Sequence, residues 1–126
     1  MQEHTITIAG QELPLGFDVR GWVKELEPEF GSFHNMTERL GSQDKPITAG
    51  IAMLAIAINA GYRLRGEKKT VSRDWMMDNL SPAEVAVAIR KGQNAIYASF
   101  EQQEKNDDAP VDVVLDEIEK KAPGSA

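Results

Sequence analysis

Two histidines, His4 and His34, and no cysteine are the whole supply of imidazole and thiolate metal ligands in this 126-residue chain. A zinc site would need carboxylates close to one of them, yet neither neighbourhood offers a helical His-x-x-x-His or Glu-x-x-His pattern. His4 falls in the N-terminal stretch and His34 in a polar loop, and both read as solvated. No Gly-x-Ser-x-Gly elbow, phosphate-cradling glycine loop or dinucleotide fingerprint occurs, so hydrolase and nucleotide-dependent chemistries lose their usual support. Without cysteine, thiol redox chemistry and a disulfide framework are excluded, which is compatible with a reducing cytoplasm. The expectation is a non-enzymatic protein with no metal and no cofactor.

Binding chemistry remains, and two constellations could supply it. Arg63, Arg65, Lys68, Lys69 and Arg73 form a basic run at the end of an apolar segment. Cations there complement a helix C-terminus. They could also meet an acidic protein or a phosphate backbone, although Glu67 and Asp74 dilute the field. A small nucleic-acid-associated regulator using residues 63–73 is therefore the alternative reading. The second constellation is Val111, Val114, Leu115 and Ile118. Their i, i+3, i+4, i+7 spacing makes an apolar stripe for a groove, either on this domain or on a partner. A segment this short is not a stable lone helix in water.

These residues must be positioned by a core, and the chain supplies one around Ile47–Leu64. Ile51 to Ile58 runs eight residues without a polar side chain, and a helix apolar on every side belongs inside a domain. The run falls short of the ~20 apolar residues of a membrane span, so no membrane partner is expected. Ahead of it, Thr5-Ile6-Thr7-Ile8, Ala9-Gly10 and Leu13-Pro14-Leu15 alternate as a β-hairpin, with Pro14 requiring an edge position. Asp18 can cap a helix carrying Val19, Trp22, Val23, Leu26 and Phe30 to Gly31, with Pro28 bending or ending it. Between Gly31 and Lys45 a short helix is expected to begin at Asn35 or Thr37. Gly66 suits the stop of the central helix. Ser72 caps a short helix over residues 73–80, and Ser81-Pro82-Ala83-Glu84 opens another running to about Gln103. Trp22 and Trp75 lie on apolar stripes and read as core anchors. Gly92 reads as a point of close approach to the central helix.

The fold expected is α+β and predominantly α, an N-terminal β-hairpin packed on about four helices around the apolar one. Residues 1–105 make the globular domain, and 106–126 an acidic tail expected to be mobile. Residues 101–126 carry eight acidic and three basic side chains, nearly all of the net charge of -6. Net acidity gives no general attraction to nucleic acid or anionic membrane. The N-terminus lacks the basic start and apolar run of a secretory signal, and a cytoplasmic location is expected.

In design, residues 5–105 resemble the tail assembly chaperones of long-tailed phages and prophages. Thr5-Ile6-Thr7-Ile8-Ala9-Gly10-Gln11-Glu12-Leu13-Pro14-Leu15 matches the strand, glycine, polar, strand opening of that family, and Trp22-Val23-Lys24-Glu25-Leu26-Glu27 its first helix. The resemblance implies a non-enzymatic protein that keeps the tape measure protein soluble and helps recruit tail tube subunits, with self-association possible. It implies no catalytic residues. Family members are often made in two lengths by ribosomal frameshifting, which would attach here to Glu119-Lys120-Lys121.

Overall fold

The alternating residues of the N-terminus form an antiparallel hairpin in the computed structural model, which describes residues 4–107 and side chains through residue 101. Strand β1 (His4–Ile8) pairs with β2 (Gln11–Leu15), Ile8 opposite Gln11 and His4 opposite Leu15. Ala9 and Gly10 turn the chain at positive φ, 54° and 76°, the twist that suits a two-residue hairpin. His4 is thus the first residue of a strand. Ile6, Ile8, Leu13, Leu15 and Phe17 are all buried.

Five helices follow, as the sequence suggests: the apolar one and four around it. Helix α1 covers residues 19–30 and contains a wide π turn at Trp22–Leu26, where the Glu27 N–H donates to the Trp22 carbonyl. Pro28 accounts for it. Proline cannot donate to the Lys24 carbonyl and crowds it in a regular helix, and a wider turn just upstream relaxes that conflict. The helix neither ends nor breaks there and reaches Phe30. Helix α2 (Phe33–Gly41) starts earlier than expected, because the Ser32 hydroxyl accepts the Asn35 N–H at 3.0 Å. That cap turns Met36 inward and moves His34 from a loop onto a helix, where it faces Glu38 at 3.5 Å on the solvent side.

Helix α3 (Pro46–Leu64) is the centre. Ala49 to Ile58 are all buried, followed by Ala60, Gly61 and Tyr62. At 19 residues it is long and apolar enough to cross a membrane, but 72% of its most apolar stretch is buried inside the domain, as suits a core helix. Gly66 stops it at φ 77°. There the Glu67 N–H donates to the Tyr62 carbonyl and the Gly66 N–H to the Arg63 carbonyl, each at 2.9 Å, which satisfies the last free carbonyls. Helix α4 (Arg73–Asn79) is capped by Ser72 Oγ on the Trp75 N–H at 3.0 Å. Helix α5 (Pro82–Asp107) opens with the reciprocal cap read from the sequence: the Ser81 N–H donates to Glu84 Oε1 at 2.8 Å and the Glu84 N–H to Ser81 Oγ at 3.2 Å.

The layers close through missing side chains. A Cβ on Gly92 would sit 3.0 Å from Leu54 Cδ2 and Met53 Sδ, so α5 lies close on α3 there, as expected. Gly50 of α3 returns the notch, receiving Ile89 of α5. On the other side the hairpin lies against α3: the Gly16 N–H donates to the Ala57 carbonyl at 3.0 Å, and Gly61 faces the Pro14 backbone. Trp22 and Trp75 are half-buried and pack against the core.

Candidate partner-binding surface

The basic run is not a field of free cations. Arg63, on the last turn of α3, donates from Nε and Nη2 to the two Asp18 oxygens at 2.9 Å each and from Nη1 to Glu25 Oε2 at 3.0 Å. Arg73 pairs with Glu29 of α1. Arg65 and Lys69 both lie 3.8 Å from Glu67. Lys68 is exposed and enters none of these pairs. The five residues thus divide between α1, the α3–α4 loop and solvent, and the acids beside them lower the potential a phosphate backbone would meet. The second constellation, Val111, Val114, Leu115 and Ile118, lies outside the described residues.

Asp18 does two jobs. Its Oδ1 accepts the Gly21 N–H at 2.8 Å, capping α1, while both oxygens hold Arg63. Burial works against this carboxylate, but the Arg63 hydrogen bond, the Gly21 N–H and the adjacent positive charge together outweigh it and hold its pKa below the ordinary 3.8. Arg63 is held more firmly protonated, chiefly by its hydrogen bond to Asp18. A carboxyl depressed in the folded state stabilises fully above its unfolded pKa, and that contribution is lost as pH falls through the folded value. Asp18→Asn keeps the cap and loses the charge. It is expected to be about 1 kcal/mol less stable at neutral pH, with the gap closing as urea titrations are taken below about pH 4.

Beside this network lies a recess of about 470 Å³ over Ala52, Ala55 and Ile56, rimmed by Lys24, Glu29 and Arg73. Asn59, the polar residue closing the apolar run, holds its edge. Its Oδ1 accepts the Val71 N–H at 2.8 Å and its Nδ2 donates to the Val71 carbonyl at 3.4 Å. Both backbone groups of Val71 are therefore satisfied by one amide, and the loop before α4 is fixed to the central helix.

A second, more apolar opening lies elsewhere, a groove of about 520 Å³ between the start of α3, helix α4 and the start of α5. Ile47 and Ile51 form one wall, Met77 and Leu80 the second, and Pro82 and Val85 the third. Ile47 and Met77 are 48% and 56% exposed, so the groove is open to a partner side chain. Its walls exist because Ser72 and Ser81 cap two consecutive helices, which keeps α4 short and leaves Ile47 at the start of α3 half exposed. Sequence reading placed Ile47 and Ile51 in the central apolar segment but did not join them to Met77, Leu80, Pro82 or Val85. The available signal was the adjacent pair Met76-Met77: Met76 is fully buried, so its neighbour points elsewhere.

Among the described residues no group of three or more His, Asp or Glu side chains could hold a metal ion. No buried side-chain polar atom among them lacks a hydrogen-bond partner. Comparison with known proteins returned no matching family model, no matching curated protein and no matching solved structure.

Proposed function

We propose that this chain is a non-enzymatic tail assembly chaperone of the phage or prophage type, acting in the bacterial cytoplasm. In this reading it binds the tape measure protein and helps recruit tail tube subunits. The resemblance of residues 5–105 to that family motivates the reading, and the observation that carries it is the open apolar groove of Ile47, Ile51, Met77, Leu80, Pro82 and Val85. An aggregation-prone helical partner presents apolar side chains at i, i+3, i+4 and i+7, and such a stripe fits a groove between helices. Shielding lasts until tail assembly withdraws the partner helix. An exposed apolar recess on a folded domain is a binding feature rather than a packing defect.

The test is binding of helical segments of the tape measure protein to the full chain by calorimetry. Ile47→Asp and Met77→Asp alter side chains that are about half exposed, so the fold should persist with an unchanged melting temperature. Each is expected to weaken binding at least ~tenfold, about 1.4 kcal/mol. Unchanged affinity in both variants would remove the groove from the mechanism. Failure of the native chain to bind any such segment would remove the tape measure protein as partner.

A further inference from the structure

Among the described residues that line the groove of Ile47 and Met77, Arg73 alone carries a charge. It precedes Met77 by one turn of α4, so the two side chains share a flank of that helix. Arg73 also lines the recess over Ala52 and Ala55. Its guanidinium thus stands between the two openings, where Nη2 donates to Glu29 Oε1 of α1. Both members of this pair are partly exposed. Such a pair adds little to stability, because water screens it and two long side chains must be held still to make it. A carboxylate arriving from outside can therefore replace Glu29 at small cost.

The rim of the groove has the sign that draws such a carboxylate. The first turn of α3 holds no acidic side chain. Lys45, just ahead of that turn, is exposed and joins no ion pair among the described residues. Thr48 and Ser81 line the groove with hydroxyls that can donate to an oxyanion. Glu84, the acid at the start of α5, has its carboxylate on the Ser81 N–H. Asp44, Asp74 and Asp78 are exposed and form no part of the lining. The chain as a whole carries -6, so this groove locally inverts the sign of the net charge. A partner helix with acids beside its apolar stripe is complementary to this rim, whereas one with lysines there meets Arg73 as a like charge.

We infer that the helix taken by this groove carries acidic side chains beside its apolar stripe, and that one of these carboxylates replaces Glu29 on Arg73 as the helix seats. This deepens the helix-binding reading of the groove and rests on it. The aliphatic walls accept many apolar helices. Arg73 selects among them, by attracting a carboxylate within its reach and opposing a cation there.

The test uses the full chain and two synthetic helical peptides of identical composition and net charge, each with leucine at i, i+3, i+4 and i+7. One has glutamates beside the leucine stripe and lysines on the far face; the other has the two exchanged. By calorimetry the first should bind ~fivefold more tightly than the second. Arg73→Gln should erase that preference and Arg73→Lys should keep part of it. Glu29→Gln, which removes the internal competitor, should tighten binding of the first peptide ~twofold or more, whereas a pair that merely braces the fold would give weaker binding when broken. Equal affinity of the two peptides for the native chain, or a preference that survives in Arg73→Gln, would overturn the selection by Arg73 while leaving the groove as a helix site. Unchanged or weaker binding in Glu29→Gln would overturn the exchange. Binding of neither peptide, or binding that Ile47→Asp does not weaken, would overturn the helix-binding reading itself and this inference with it.

Discussion

Leu54→Asp is expected to abolish folding at neutral pH, with loss of the helical circular dichroism and of dispersed amide resonances. Leu54 is fully buried at the middle of α3, and its Cδ2 fills the notch over Gly92 of α5. Removing such a side chain costs about 2–5 kcal/mol in lost burial and residual cavity. An unpaired carboxylate there adds several kcal/mol more. A domain of this size has only about 5–15 kcal/mol in total, so the sum consumes most or all of it. The carboxylate can escape by staying protonated, since burial raises its pKa, and partial recovery of helix on acidification is therefore expected. Leu54→Met is the control, a volume-conserving change that should cost less than about 1.5 kcal/mol. A folded Leu54→Asp variant at neutral pH would show that the core lies elsewhere.

The second large effect belongs to Gly61. A Cβ there would stand 2.7 Å from the Pro14 carbonyl carbon and 2.9 Å from the Leu15 nitrogen. These are backbone atoms of β2, which cannot rotate away as a side chain can. Gly61→Ala must push the hairpin off the helix and is expected to cost about 1–3 kcal/mol. Gly61→Val should undock it, breaking the bond from the Gly16 N–H to the Ala57 carbonyl and wetting the inner hairpin face. Hydrogen exchange gives the signature: amides of β1 and β2 lose protection first, while α3 and α5 keep theirs. Gly41→Ala is the contrast, since nothing lies within 4 Å of a Cβ there and its φ is not positive. It should be neutral or stabilise by up to about 1 kcal/mol. Loss of protection spread evenly over the whole domain would mean that the hairpin is not a separable layer.

The legible parts of this fold are those decided within one helical turn. Asp18, Ser72 and the Ser81–Glu84 pair start helices because a side-chain oxygen reaches an N–H three residues on, and Gly66 stops one because it accepts a positive φ. The alternation of the N-terminus specified a hairpin in the same local way. The start of α2 was misplaced although its signal was equally local, because Ser32 precedes Phe33-His34-Asn35, where the apolar periodicity is weak. The π turn was only half legible: Pro28 announced a conflict, but whether the chain ended, bent or widened depended on the contacts that keep Phe30 in the core.

By itself, then, the sequence determined the hairpin, the caps and the helix whose apolar surface the rest must cover, since these follow from backbone hydrogen bonding and from keeping aliphatic groups out of water. Tertiary structure alone decided what is left for function. Arg63 read as one cation in a basic run, yet it holds Asp18 and Glu25, 45 and 38 residues away, because the end of α3 comes to lie beside the start of α1. The groove has the same origin. Ile47, Met77 and Val85 are unremarkable apolar residues in three separate segments, and they form one recess only because α4 is too short to cover α3. An ion pair or a groove is a relation between segments distant in sequence, and its geometry exists only once the layers have closed.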